Sequence, residues 1–304
     1  MPRRLSEQFL SDLKEGFLTA LLERVKTDRS LCLEIREDYV NIYYRGGNLL
    51  RVSRTPDGYV AFFDPEYASG DGGALSSTMP AVALRGVADV SAWLAFVPML
   101  KLTMDIHLGR YPKEEREAQQ CILRENNFGG ISRATDYYVC DIEYANAHGR
   151  FDLVAVQWPS NGATRKKTTG RRLVLIEAKY GEGAIADPAG IHSHIIDINN
   201  FLSDARNLQA LKDEMVGVFN QKRALHLVNC GKDLDAFSDE SPMLLLALLN
   251  HDPDSSMLRD SLDHLPPSPH AEVYLASACF MGYGLFDQAV LPLEEARVRL
   301  GACI

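Results

Sequence analysis

The chain has 304 residues, 46% hydrophobic and 24% charged, with 41 acidic against 32 basic side chains for a net charge of −9. That length holds one large domain or two modest ones, and the acidic balance argues against a general nucleic-acid coat while allowing an enzyme whose basic residues gather in one cleft. With no apolar run read as a membrane span, no secretory signal in MPRRLSEQFLSDLKEG, and six cysteines (32, 121, 140, 230, 279, 303) forming no C-x-x-C pair, the expectation is a cytoplasmic protein with reduced core thiols and neither a zinc site nor a membrane partner.

In chain order, Leu5, Phe9, Leu10, Leu13, Phe17, Leu21 and Val25 recur at helical spacing and predict one amphipathic helix over 5–25. LCLEIREDYVNIYYRGGNLLRVSRTPDGYVAFFD predicts a β-meander with turns at Glu37-Asp38, Gly46-Gly47 and Pro56-Asp57-Gly58. Its aromatics Tyr39, Tyr43, Tyr44, Tyr59, Phe62 and Phe63, with Arg45, Arg51 and Arg54 nearby, could stack and bind nucleic acid, but core packing of a twisted sheet is the favoured reading. A Gly/Ser-rich loop over 67–80 precedes a second helical stretch at 88–108. Pro112 followed by acids then opens a Glu/Gln-rich helix, KEEREAQQCILRENN. Thr135 to Tyr144 reads as a first core strand with Asp141 and Glu143 on one face, and 147–150 as its turn. A long helical stretch is expected over 191–225, and later strands at 243–250 and 271–280. His192 and His194, two apart, would not share a helix face and are at most residues of a site mouth. The polar side chains Asn199, Asn200, Arg206, Gln209 and Lys212 read first as a solvated face.

The most informative stretch lies between these parts. GRFDLVAVQW and RRLVLIEAKYGEG are short, β-rich segments that are apolar on both faces, as in a sheet interior covered on two sides. Yet Asp152 opens one run, and Glu177 and Lys179 close the other. Charged groups are rarely placed there unless they are paired or bind metal. Strand alternation puts Glu177 and Lys179 on one face. If Val154 faces Leu175 in a hairpin, Asp152 faces Glu177, and a divalent cation would turn two repelling carboxylates into a ligand pair. The structural alternative is an ordinary Glu/Lys ion pair at a strand end.

The D-x24-E-A-K pattern, with an apolar strand before each half, resembles the PD-(D/E)xK nuclease superfamily. The resemblance covers about residues 112–250; Phe151 stands where the family name has proline, and the loop between the motif halves is long. It implies an α/β protein with a mixed sheet and a restriction-endonuclease-like αβββαβ core over 106–304, preceded by an N-terminal helix and antiparallel meander over 1–105. It implies a phosphodiester hydrolase using Mg²⁺ or Mn²⁺ on nucleic acid, DNA in preference to RNA. Asp152 and Glu177 match the metal-binding acids, the Ala178 carbonyl a further ligand, and Lys179 the motif lysine. Glu117 is the best match to a glutamate on the preceding helix, with Glu114 and Glu125 as alternatives. Arg165, Lys166, Lys167, Arg171 and Arg172, in the inter-strand loop, are candidate phosphate grips, although a solvated hairpin tip is the simpler reading. A homodimer is open by analogy. The other functional class is a catalytically inactive nuclease-like module that binds nucleic acid or regulates.

Overall fold

The computed structural model describes residues 2–68, 79–128, 135–185, 190–251, 256–278 and 290–301. It is mixed α/β with two sheets. The chain divides into two compact units: unit 1, Met1–Gln120 with Gln221–Leu227, and unit 2, Cys121–Asn220 with Val228–Ile304.

Unit 1 begins with two helices, α1 (Glu7–Lys14) and α2 (Thr19–Thr27), where the periodicity predicts one. The break falls at Gly16. The amides of Glu15 and Gly16 both return to the Ser11 carbonyl, which closes α1 before the apolar stripe is complete. Ser6 caps α1 by accepting the Phe9 amide at 3.4 Å. The meander follows as expected: β1 (Leu31–Ile35), β2 (Tyr39–Tyr44), β3 (Gly47–Thr55) and β4 (Gly58–Phe62), joined by β5 (Ala83–Leu84) in the order β1-β2-β3-β4-β5, all antiparallel.

Its aromatics divide between core and surface. Tyr43, Tyr59 and Phe63 are buried while Phe62 is 48% exposed. Tyr59 packs against Phe9, with ring centroids 4.6 Å apart, and donates its hydroxyl to Asp12. The helix α3 (Val87–Arg110) buries Val90, Trp93, Val97, Leu100, Met104 and Leu108. At 24 residues, with an 18-residue stretch of mean hydropathy 1.4, it meets the length and composition of a membrane span, which was not expected from the sequence. Its flank is polar, however. Lys101 pairs with Asp28 at 2.5 Å, and Asp105 with Arg45 at 2.8 Å. Most of the Gly/Ser-rich loop, residues 69–78, lies outside the described residues.

Helix α4 (Glu114–Phe128) carries Glu114, Glu115 and Glu117 in its first turn, where acids favour the helix dipole. Then come β6 (Tyr137–Ala145), β7 (Arg150–Gln157) and β8 (Arg172–Tyr180), each antiparallel to the next. The expected single helix over 191–225 is two, α5 (Ile191–Leu202) and α6 (Ala205–Ala224). Asp204 separates them: its carbonyl accepts the Asn207 and Leu208 amides and its carboxylate the Arg206 amide, which starts a new helix. Next, β9 (Met243–Leu249) runs parallel to β8. After α7 (Ser256–Asp263), β10 (Glu272–Ala278) runs parallel to β9, and β11 (Leu291–Pro292) leads into α8 (Leu293–Gly301).

The sheet order is β11-β10-β9-β8-β7-β6. Every residue of β9 is buried, as a central strand covered on both faces requires. Cys32, Cys140 and Cys230 are buried and Cys121 is partly buried; Cys279 and Cys303 lie outside the described residues.

Candidate functional site

The hairpin β7–β8 adopts the register in which Val154 pairs with Leu175, and regular pairing ends at Leu153 with Ile176. Asp152 and Glu177 are the next residues outward. At that point the ladder changes character, because the Asp152 carboxylate accepts the Ala178 amide at 2.9 Å. An amide buried in a sheet must find an acceptor, and here an acid supplies it. Glu177 and Lys179 share a face of β8, and Lys179 Nζ lies 2.9 Å from Glu177 Oε1, with both side chains at most 5% exposed. So deep a carboxylate retains its charge only with close partners.

A second partner comes from another element. His194, in the first turn of α5, brings Nδ1 to 3.1 Å from the same Glu177 oxygen. Burial pushes its imidazole below the usual range and the Lys179 ammonium pushes it further, with Arg150 in the same sense and Asp152 and Asp197 opposing. His194 Nδ1 thus faces the buried Glu177 oxygen, while burial and the Lys179 ammonium disfavour the charged form of the ring. His192 does turn to another side, within 2.9 Å of the Ser261 carbonyl. Periodicity separates the two histidines, but only the packing of α5 beside β8 selects His194.

The four groups Asp152, Glu177, Lys179 and His194 all belong to unit 2. Two carboxylates against one ammonium leave the set one negative charge in excess. Among the described residues, no three His, Cys, Asp or Glu side chains converge as a ready-made metal cluster. The donor chemistry nonetheless suits a hard cation, since Mg²⁺ is commonly held by one or two carboxylates with waters and substrate phosphates completing its shell. Asp152 and Glu177 would be those carboxylates.

The remaining candidates are placed otherwise. Glu117 belongs to unit 1, where its carboxylate lies 3.4 Å from Arg45. Glu114 and Glu125 are exposed. Asp141 is fully buried opposite Val154, beside an irregularity in β6, and Glu143 adopts φ 52°.

Of the basic loop residues, three are drawn into the fold of unit 2. Arg165 donates to the Tyr138 hydroxyl and the Thr135 carbonyl. Arg171, 2% exposed, lies 4.6 Å from the Trp158 ring centroid and donates to the carbonyls of Thr164 and Lys167. Arg172 donates to the Ser241 carbonyl and pairs with Glu272 at 3.0 Å. Lys166 and Lys167 are exposed. On α5 and α6, Asn199 bonds the Pro267 carbonyl, Gln209 bonds Asp213 and Lys212 bonds the Ser238 carbonyl, so that face is in part a packing surface. A cavity of about 530 Å³ lined by Pro266, Tyr274 and Arg297 includes none of the four site residues.

No family model matches the chain, and no curated protein or solved structure matches it either.

Proposed function

We propose that the chain is a metal-dependent nuclease of the PD-(D/E)xK kind, acting on DNA in preference to RNA. The observation that carries the reading is the register of β7 against β8, which sets Asp152 beside a buried Glu177–Lys179 pair. The order of elements supports it: α4, three antiparallel strands, helices α5 and α6, then β9 parallel to β8 follow the αβββαβ sequence of a restriction-endonuclease-like core.

Asp152 and Glu177 would hold Mg²⁺ or Mn²⁺, with the Ala178 carbonyl as a further candidate ligand. When bound, such an ion lowers the pKa of a water and clamps the scissile phosphate. Lys179 supplies a desolvated ammonium suited to charge building on the phosphate. His194 Nδ1 lies 3.1 Å from the Glu177 carboxylate, and Asp152 is fixed by the Ala178 amide. Lys166 and Lys167 are the basic loop residues with side chains open to a phosphate backbone. Glu117, paired with Arg45, carries no step.

A second reading draws on the same geometry. Asp152 and Glu177 already have protein partners, as they would in a module that keeps the architecture and binds no metal. Plasmid DNA and RNA incubated with Mg²⁺ or Mn²⁺ test the choice. Under the nuclease reading wild type cuts, and Asp152→Ala or Lys179→Ala lowers the rate at least about a hundredfold while melting shows an intact fold. Mn²⁺ should also give heat by calorimetry and raise the melting temperature in wild type, both weakened in Asp152→Ala. Equal cleavage by wild type and Lys179→Ala would remove Lys179 from the mechanism; neither heat nor stabilisation would favour the module.

A further inference from the structure

Helix α3 carries two apolar faces, and unit 1 accounts for one. The other consists of Ala88, Ala92, Ala95, Met99, Leu102 and Ile106, closed by Gly109, at alternating spacings of four and three. All seven are exposed, with Met99 at 45%, Leu102 at 53% and Ile106 at 49%. A repeat averaging 3.5 residues is the pattern of a helix-pairing seam, which straight amphipathic burial at 3.6 does not require.

We infer that this seam pairs with its own copy, antiparallel, to form a two-fold dimer. The occupant follows from the grading of side-chain size. The first half of the seam is alanine and the second half is large. An antiparallel pair crossing beside Val97 sets Ala88 against Ile106 of the second copy, Ala92 against Leu102, and Ala95 against Met99. Each bulky side chain then meets a small one, and the operation is closed and self-complementary. A parallel pair would oppose large to large at one end and leave alanine facing alanine at the other.

The area is sufficient. The helix is about 36 Å long, and covering half-exposed side chains along most of it removes on the order of 1,000 Å² over both copies, the lower bound for a specific interface. A lipid surface is the poorer occupant. Lys101 and Asp105 lie on this helix, and their pairing to Asp28 and Arg45 holds it in a polar network within unit 1.

Sedimentation of the purified full chain over micromolar concentrations tests the seam. Wild type is expected to be dimeric. Ala92→Leu and Leu102→Ala, each checked for an unchanged melting curve, should each weaken association about tenfold or more. The double variant should recover most of the loss, because it exchanges the two sizes across the pair. A monomeric wild type, a dimer indifferent to both substitutions, or a double variant no better than the singles overturns the proposal. So does a monomer that binds phosphatidylcholine vesicles and loses that binding with Leu102→Glu, which would assign the face to lipid.

Discussion

Charge in this protein is placed where specific partners hold it, and the clearest case outside the candidate site is Asp28. Burial alone would raise its carboxyl pKa. The Lys101 ammonium and the hydroxyl and amide of Ser30 outweigh that and lower it from 3.8 to about 2. Such a drop corresponds to roughly 2 kcal/mol of stability. Because the folded value is the depressed one, this contribution is complete above about pH 4 and is lost as the pH falls toward 2. Asp28→Asn should therefore reduce stability at neutral pH by about that amount and flatten the loss across this window. Urea titrations at pH 7 and through the acid range check it; parallel acid profiles for wild type and variant would show that Asp28 is not the group responsible. At Glu177 a more deeply buried carboxylate has Lys179 and His194 converging on one oxygen.

At the scale of elements, turns and breaks decide what periodicity alone misplaces. The β2–β3 turn uses Arg45 at φ 47° and Gly46 at φ 76°, the two positive angles that match strand twist in a two-residue hairpin. Gly46 is constrained twice, since a Cβ there would lie 2.6 Å from the Lys113 carbonyl oxygen and 2.9 Å from the Glu117 amide nitrogen. Gly170, at φ 69°, has open space around it. Gly170→Ala should cost about 1 kcal/mol from backbone conformation alone, and Gly46→Ala about 1–3 kcal/mol more. Denaturation midpoints compare them directly, and equal losses would mean that the start of α4 yields to the added methyl. The strands of unit 2 were legible because apolar runs bounded by polar turns are a local signal. The splits at Gly16 and Asp204 were less so. Each is made by a few hydrogen bonds within a sequence whose hydrophobic period continues through the break.

Over the whole molecule, residues far apart in sequence become single energetic units. Lys222 and Glu34, 188 positions apart, form a 2.7 Å ion pair with both side chains at most 1% exposed. Segment 221–227 groups with unit 1, and Gln221 there bonds both the amide and the carbonyl of Leu5. Lys222→Ala removes a cation 2.7 Å from a fully buried carboxylate, so it should cost about 3–5 kcal/mol, while Glu34→Leu combined with Lys222→Met should recover most of it. A double-mutant cycle in guanidinium gives the coupling. A small loss on Lys222→Ala would show that water reaches Glu34 on substitution.

Local patterning alone specifies the alternation that sets Glu177 and Lys179 on one strand face, the apolar hairpin that carries Asp152, and the meander with its turns. These depend on neighbours within a few residues, where the strand period and turn chemistry act. Packing between elements sets which histidine reaches Glu177, that Asp152 takes the Ala178 amide, that Glu117 is engaged by Arg45, and that Arg165, Arg171 and Arg172 anchor a loop. Those outcomes depend on which elements lie side by side, and a side chain spends its hydrogen bonds and charge on whatever packing brings within reach, however distant in the chain.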